Sequence, residues 1–122
     1  MKIYNSIVSW ITKKRIHQIK LFINHPHEVQ EELRLSLVDN AKNTYFGRTY
    51  DFNSIKNQKD FSERIPLHEY EDLEPYIYRM RSGEQNVLWP SKIKWFAKSS
   101  GTTNNKSKFI PVSNDAIEDC HY

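Results

Sequence analysis

Lys94-Trp95-Phe96-Ala97-Lys98-Ser99-Ser100-Gly101-Thr102-Thr103-Asn104-Asn105-Lys106-Ser107-Lys108-Phe109-Ile110-Pro111-Val112 reads as strand, polar loop, strand. The flanks, 94–98 and 109–112, are aromatic or β-branched and predict buried strands, whereas the loop carries hydroxyl, amide and ammonium groups almost throughout. Such a loop suits phosphate. Ser99, Ser100, Thr102 and Thr103 offer hydroxyl donors, Gly101 lets backbone amides approach an anion, and Lys106 and Lys108 add positive charge. No acid lies between Glu84 and Asp115, so the local field favours a polyanion.

The loop does not fit the P-loop of nucleoside triphosphatases. That motif places a second glycine directly before a Lys-Ser/Thr pair, five positions after the first; here Lys106 stands at that place, followed by Ser107 and Lys108. A P-loop also opens a helix whose N-terminus holds the phosphates, whereas Phe109-Ile110-Pro111-Val112 is strand-like and Pro111 would interrupt such a helix.

A Ser/Thr/Gly turn between two strands, ending in lysine, resembles instead the phosphate loop of the adenylate-forming superfamily. More closely, 96–103 with Lys108-Phe109-Ile110-Pro111 resembles the auxin-responsive Gretchen Hagen acyl-acid amido synthetases and their bacterial relatives. In that family the serine pair, the glycine, the hydroxyl pair, the lysine and Ile-Pro occupy the same relative positions. Asn104, Asn105 and Ser107 stand where a small residue, a glycine and a proline are common; asparagine tolerates the left-handed backbone that a similar turn needs. Segments 14–19, 26–30, 70–73 with 75–77, and 86–90 also look like the bacterial branch, so the resemblance runs along the whole chain but only through the opening part of the family's length.

The resemblance implies an α/β fold: N-terminal helices, mainly within 1–84, followed over 85–122 by strand, phosphate loop, strand and the start of a helix, as in the large N-terminal domain of an adenylate-forming enzyme, truncated. It implies the chemistry of an acyl-acid amido synthetase, a ligase in which a carboxylate attacks the ATP α-phosphate and an amine or amino acid then takes the acyl group from the adenylate. ATP and Mg2+ are the implied cofactors. Ser99, Ser100, Gly101, Thr102 and Thr103 would bind the β- and γ-phosphates, and Lys108 would be the catalytic residue, offsetting charge on the leaving pyrophosphate. The isolated 122 residues are expected to be inactive, since no motif for the acid, adenine, ribose or metal contacts is present.

Composition agrees with a soluble, folded, somewhat polar chain: 38% hydrophobic, 13% aromatic and 27% charged. A net charge of +3 is well short of a dedicated nucleic-acid binder. The alternative to the enzyme reading is nonetheless a non-catalytic module binding single strands through Lys92, Lys94, Trp95, Phe96, Lys98, Lys106 and Lys108. The enzyme reading needs neither nucleic acid nor membrane as partner. The single Cys120 permits no intramolecular disulfide or zinc–cysteine cluster, and no signal peptide is evident, so a cytoplasmic setting is expected.

Upstream, Ile3, Ile7, Trp10 and Ile11, then Ile16, Ile19, Phe22 and Ile23, predict an amphipathic helix up to about Asn24. Its basic polar face admits a membrane-surface role, but a docked core helix is the commoner use of such a pattern. A second helix starts at Pro26, with Val29, Leu33, Leu37 and Ala41, beside Val38, as its stripe and Gly47 as its left-handed stop. His25 and His27 read as boundary residues, since a spacing of two does not share a helical face. Phe52, Ile55 and Phe61 are packing points in an irregular stretch with a helical turn near 59–64. A third helix runs from about Glu69 to Ser82, with acids at its start, Arg79 and Arg81 at its end and Gly83 as its stop. Trp89 and Trp95 are expected in the core. Ser113 or Asn114 should cap a last helix, and the absence of a stop signal before Tyr122 suggests a chain cut inside a larger fold.

Overall fold

The computed structural model describes residues 2–99 and 107–121. The chain divides into two compact units, Met1–Ser36 and Leu37–Tyr122. In the first, α1 (Lys2–Asn24) is followed after His25 by α2 (Pro26–Ala41), which continues into the second unit. The His25 N–H still reaches the Leu21 carbonyl at 2.8 Å, and Pro26 takes the first helical position, where its missing N–H removes no helical bond. None of the described residues of this unit is buried. Trp10, Ile19 and Ile23 are all exposed. Ile16, Ile19 and Ile23 lie roughly 120–180° round the helix from Trp10, so no single face gathers the apolar residues.

The second unit holds the core. The α2 stripe is narrower than expected: Val38 and Ala41 are buried, whereas Leu33 and Leu37 are exposed, because the helix turns its Val38–Ala41 ridge inward. Val38 and Ala41 join Phe52 and Ile55, with Phe46, Tyr50, Phe61, Ile65 and Trp89 packed around them. Met80, Val87 and Ile93 form a second cluster with Tyr76, Leu88, Trp89 and Phe96, so Trp89 belongs to both. The expectations for Phe52, Ile55, Phe61 and Trp89 are met.

Gly47 does not stop α2. That helix ends at Ala41, and Gly47 lies inside a short helix, α3 (Tyr45–Thr49). A Cβ on Gly47 would sit 2.1 Å from the Ala41 carbonyl oxygen, which is why the smallest residue is needed. The same carbonyl accepts the Thr44 N–H at 3.0 Å and its hydroxyl at 2.7 Å. Thr44 is fully buried and caps α3, its Oγ1 accepting the Gly47 N–H at 2.9 Å. The other two free amides of the first turn go elsewhere: Tyr45 N–H to the Asn86 carbonyl at 2.9 Å and Phe46 N–H to the Val87 carbonyl at 3.0 Å. Asn86 adopts a left-handed backbone, φ 58°, and its side-chain amide donates to the Asn43 carbonyl at 3.0 Å.

A 3-10 turn (Phe52–Ser54) leads to α4 (Gln58–Arg64) and α5 (Tyr70–Arg81). The Asp72 carboxylate accepts the Glu69 N–H at 2.8 Å at the start of α5. At its end Gly83, φ 99°, lets its own N–H reach the Met80 carbonyl and the Glu84 N–H reach the Arg79 carbonyl, both at 3.1 Å, the paired bonds of a left-handed helix stop. The Arg79 guanidinium then grips Glu84, Nε to Oε2 2.7 Å, and draws that carboxyl below its usual range.

Strands β1 (Trp95–Lys98) and β2 (Phe109–Val112) pair antiparallel, Phe96 opposite Pro111 and Lys98 opposite Phe109. They are not the buried strands expected. Phe96 faces the second core cluster, and alternation along the strand turns Trp95 to the other side, where it is 66% exposed rather than in the core. Helix α6 (Asn114–His121) follows, the Ser113 hydroxyl accepting the Ala116 N–H at 3.0 Å. Its Asp115 accepts the Trp89 indole N–H at 2.7 Å and the Ser91 hydroxyl at 3.1 Å.

Two outcomes follow. Gly47→Ala should lower unfolding stability by roughly 2–3 kcal/mol, because its methyl meets backbone rather than a movable side chain; an unchanged urea midpoint would refute the close approach. Hydrogen bonds from Trp89 and then Ser91 hold the Asp115 carboxyl below its ordinary value. Stability from a lowered carboxyl is present above the unfolded value, about 4, and is lost as pH falls through the folded one. In a background lacking Trp10 and Trp95, Trp89 emission should change below about pH 4, and Asp115→Asn should abolish that step.

Candidate functional site

The hairpin of β1 and β2 closes the loop expected to hold phosphate. At its mouth the Ser99 N–H donates to the Lys108 carbonyl at 2.9 Å, and the Lys108 N–H donates to the Ser99 Oγ at 3.1 Å. The Ser99 hydroxyl thus stands where a strand carbonyl would, and keeps its own proton to give. Ser99 and Lys108 are half-buried and adjacent at the mouth, while Lys98 is exposed. Ser100, Gly101, Thr102 and Thr103, with Lys106, lie outside the described residues.

The first turn of α5 reaches the same place. The Tyr70 hydroxyl accepts the Phe109 N–H at 2.8 Å and lies 3.3 Å from the Phe109 carbonyl, to which it donates. Because Lys108 bonds toward β1, the polar groups of Phe109 face the outer edge of β2, and Tyr70 satisfies both. Glu71 Oε1 lies 3.6 Å from Lys108 Nζ, and that ammonium is 4.9 Å from the centre of the Tyr70 ring. From the last turn of α5, the Arg81 guanidinium stacks 3.7 Å over the Phe109 ring. Between α5 and the hairpin opens a cleft of about 370 Å³, lined by Tyr70, Glu74, Tyr78, Arg81, Lys98 and Ser107 among others. Two cations there face one carboxylate.

Sequence reasoning placed Ser99 and Lys108 on this loop but missed Tyr70, Glu71 and Arg81. Tyr70 read only as the opening of a helix and Glu71 as one of the acids at its start. Both readings are local, and contacts spanning 39 residues leave no trace in spacing.

Residues 15–122 match the family model described as the GH3 family N-terminal domain. The chain therefore belongs to the GH3 (Gretchen Hagen) family, the one its loop resembles. It is similar to indole-3-acetic acid-amido synthetase GH3.2 of Arabidopsis thaliana, 27% identical over 106 residues that cover 86% of this chain and 19% of that protein. Jasmonoyl-L-amino acid synthetase JAR4 of Nicotiana attenuata is 28% identical over 104 residues, 84% of this chain and 18% of that protein. Indole-3-acetic acid-amido synthetase GH3.17 of Arabidopsis thaliana is 30% identical over 90 residues, 73% of this chain and 15% of that protein. The chain thus spans less than a fifth of the length of these relatives.

If the Tyr70 hydroxyl anchors β2 through Phe109, Tyr70→Phe keeps the ring but strands two backbone groups. It should destabilise the second unit by about 1–2 kcal/mol in chemical denaturation. A stability within error of the parent chain would show that the edge bonds are made equally well by water.

Proposed function

We propose that the chain serves as the N-terminal part of an ATP-dependent acyl-acid amido synthetase and carries its ATP-phosphate loop. A carboxylic acid and an amine or amino acid are the other substrates, the classes present in the names of the relatives. The observation that carries the reading is the loop mouth, where Ser99 and Lys108 are hydrogen-bonded to each other; the loop's resemblance to that of the family would make Lys108 the lysine that ends it.

The described residues fit a polyphosphate. Lys98 and Lys108 supply two ammonium groups beside the loop and Ser99 a hydroxyl proton. The backbone under Lys108 is fixed by β1 on one side and Tyr70 on the other, so its charge would be in place before the reaction rather than recruited during it. Serine, threonine and glycine at 100–103 would add donors around the β- and γ-phosphates. Among the described residues no group of three or more His, Cys, Asp or Glu could hold a metal ion. A Mg2+ ion would be held by the phosphates together with groups other than the ones named here. Acid and amine would be placed by groups other than the ones named here.

The test compares Lys108→Ala with Lys106→Ala in the complete synthetase, by acid-dependent exchange of labelled pyrophosphate into ATP. Lys108→Ala should slow exchange by about 100-fold, the scale of losing one preorganised charge partner, and Lys106→Ala by far less. Equal rates in the two variants would sink the assignment of Lys108.

A further inference from the structure

We infer that the first turn of α5 positions Lys108 for phosphate: Tyr70 fixes the backbone that carries the lysine, and Glu71 competes with phosphate for its ammonium group. The inference rests on the phosphate-loop reading and adds two residues to it. Lys108 has two described partners for its charge, both from adjacent residues of α5: the Glu71 carboxylate at 3.6 Å and the Tyr70 ring at 4.9 Å. The Tyr70 hydroxyl binds both polar groups of Phe109, the next residue along the chain. One helical turn therefore holds the lysine at its root and at its tip.

The two grips differ in strength. At the root, the hydrogen bonds are partly buried and the second pair, to Ser99, lies on the opposite edge, so the backbone is held from both edges. At the tip, the ion pair is solvent-facing, with side chains 39% and 65% exposed, and pairs of that kind are weak. A phosphate approaching the loop mouth can take the ammonium from Glu71 without moving the backbone. Glu71 then sets how tightly the loop holds phosphate.

Binding of inorganic pyrophosphate, measured by titration calorimetry on the full chain, tests this with a double-mutant cycle. Glu71→Gln should tighten binding about two- to five-fold, the span expected for losing one weak competing pair. Glu71→Asp, which keeps the charge, should stay near the parent value. Lys108→Ala should weaken binding at least ten-fold, and adding Glu71→Gln to it should bring no further gain, because the carboxylate acts through the lysine. If Glu71→Gln tightens binding equally with and without Lys108, the effect is general electrostatics and the inference is overturned. If Lys108→Ala weakens binding but Glu71→Gln leaves it unchanged or weaker, the inference alone falls. If Lys108→Ala binds like the parent, or the parent chain binds no pyrophosphate, the phosphate-loop reading falls and takes the inference with it.

Discussion

The second unit depends on one crowded joint, where the Ala41 carbonyl takes two hydrogen bonds from Thr44 and leaves no room for a side chain on Gly47. From that joint α3 starts, and its first three amides are satisfied by Asn86, Val87 and Thr44 in turn. A segment some forty residues downstream is thereby held against the end of α2. The consequence is a core in two clusters rather than one: Val38 and Ala41 anchor the first, Val87 the second, and the Trp89 ring lies between. Thr44 is hydrogen-bonded at full burial, as a buried hydroxyl must be to avoid a large desolvation penalty.

What the sequence makes legible here is what is local. The helical spans near 2–24, 26–41 and 70–81, the Gly83 stop and the strand–loop–strand about the polar loop all follow from periodicity, prolines and capping residues within a turn or two. Failures come where a distant partner decides. Gly47 looked like a helix stop because a glycine after a helix usually is one, but its need arises from a carbonyl six residues back folding over it. Trp95 looked like core because tryptophan usually is, but a two-stranded hairpin has only one face toward the core and Phe96 takes it. In α1 the apolar residues drift round the helix, and counting them did not reveal which face they make.

The site shows the same division. Ser99 and Lys108 are visible because the loop that holds them is a continuous stretch with unusual composition. The groups that place them are spread along α5: a tyrosine at its first position, a glutamate at its second and an arginine at its last. Each has an ordinary helical explanation. Only the antiparallel register, which sends the Phe109 amide and carbonyl outward, shows why a phenol at residue 70 is useful there.

This arrangement separates rigidity from charge. The backbone at 108–109 is bound on both edges by uncharged hydrogen bonds, whose strength changes little with salt or with the arrival of an anion. The ammonium, by contrast, rests on a solvent-facing carboxylate and an aromatic ring, contacts that are individually weak and readily exchanged. On the proposed reading, that is the order a phosphate loop requires: a frame that does not move when the ligand binds, and a cation whose partner can be replaced. A buried, fully paired lysine at the same place would hold its position better, but would surrender its charge to phosphate only at the expense of leaving a carboxylate buried and alone.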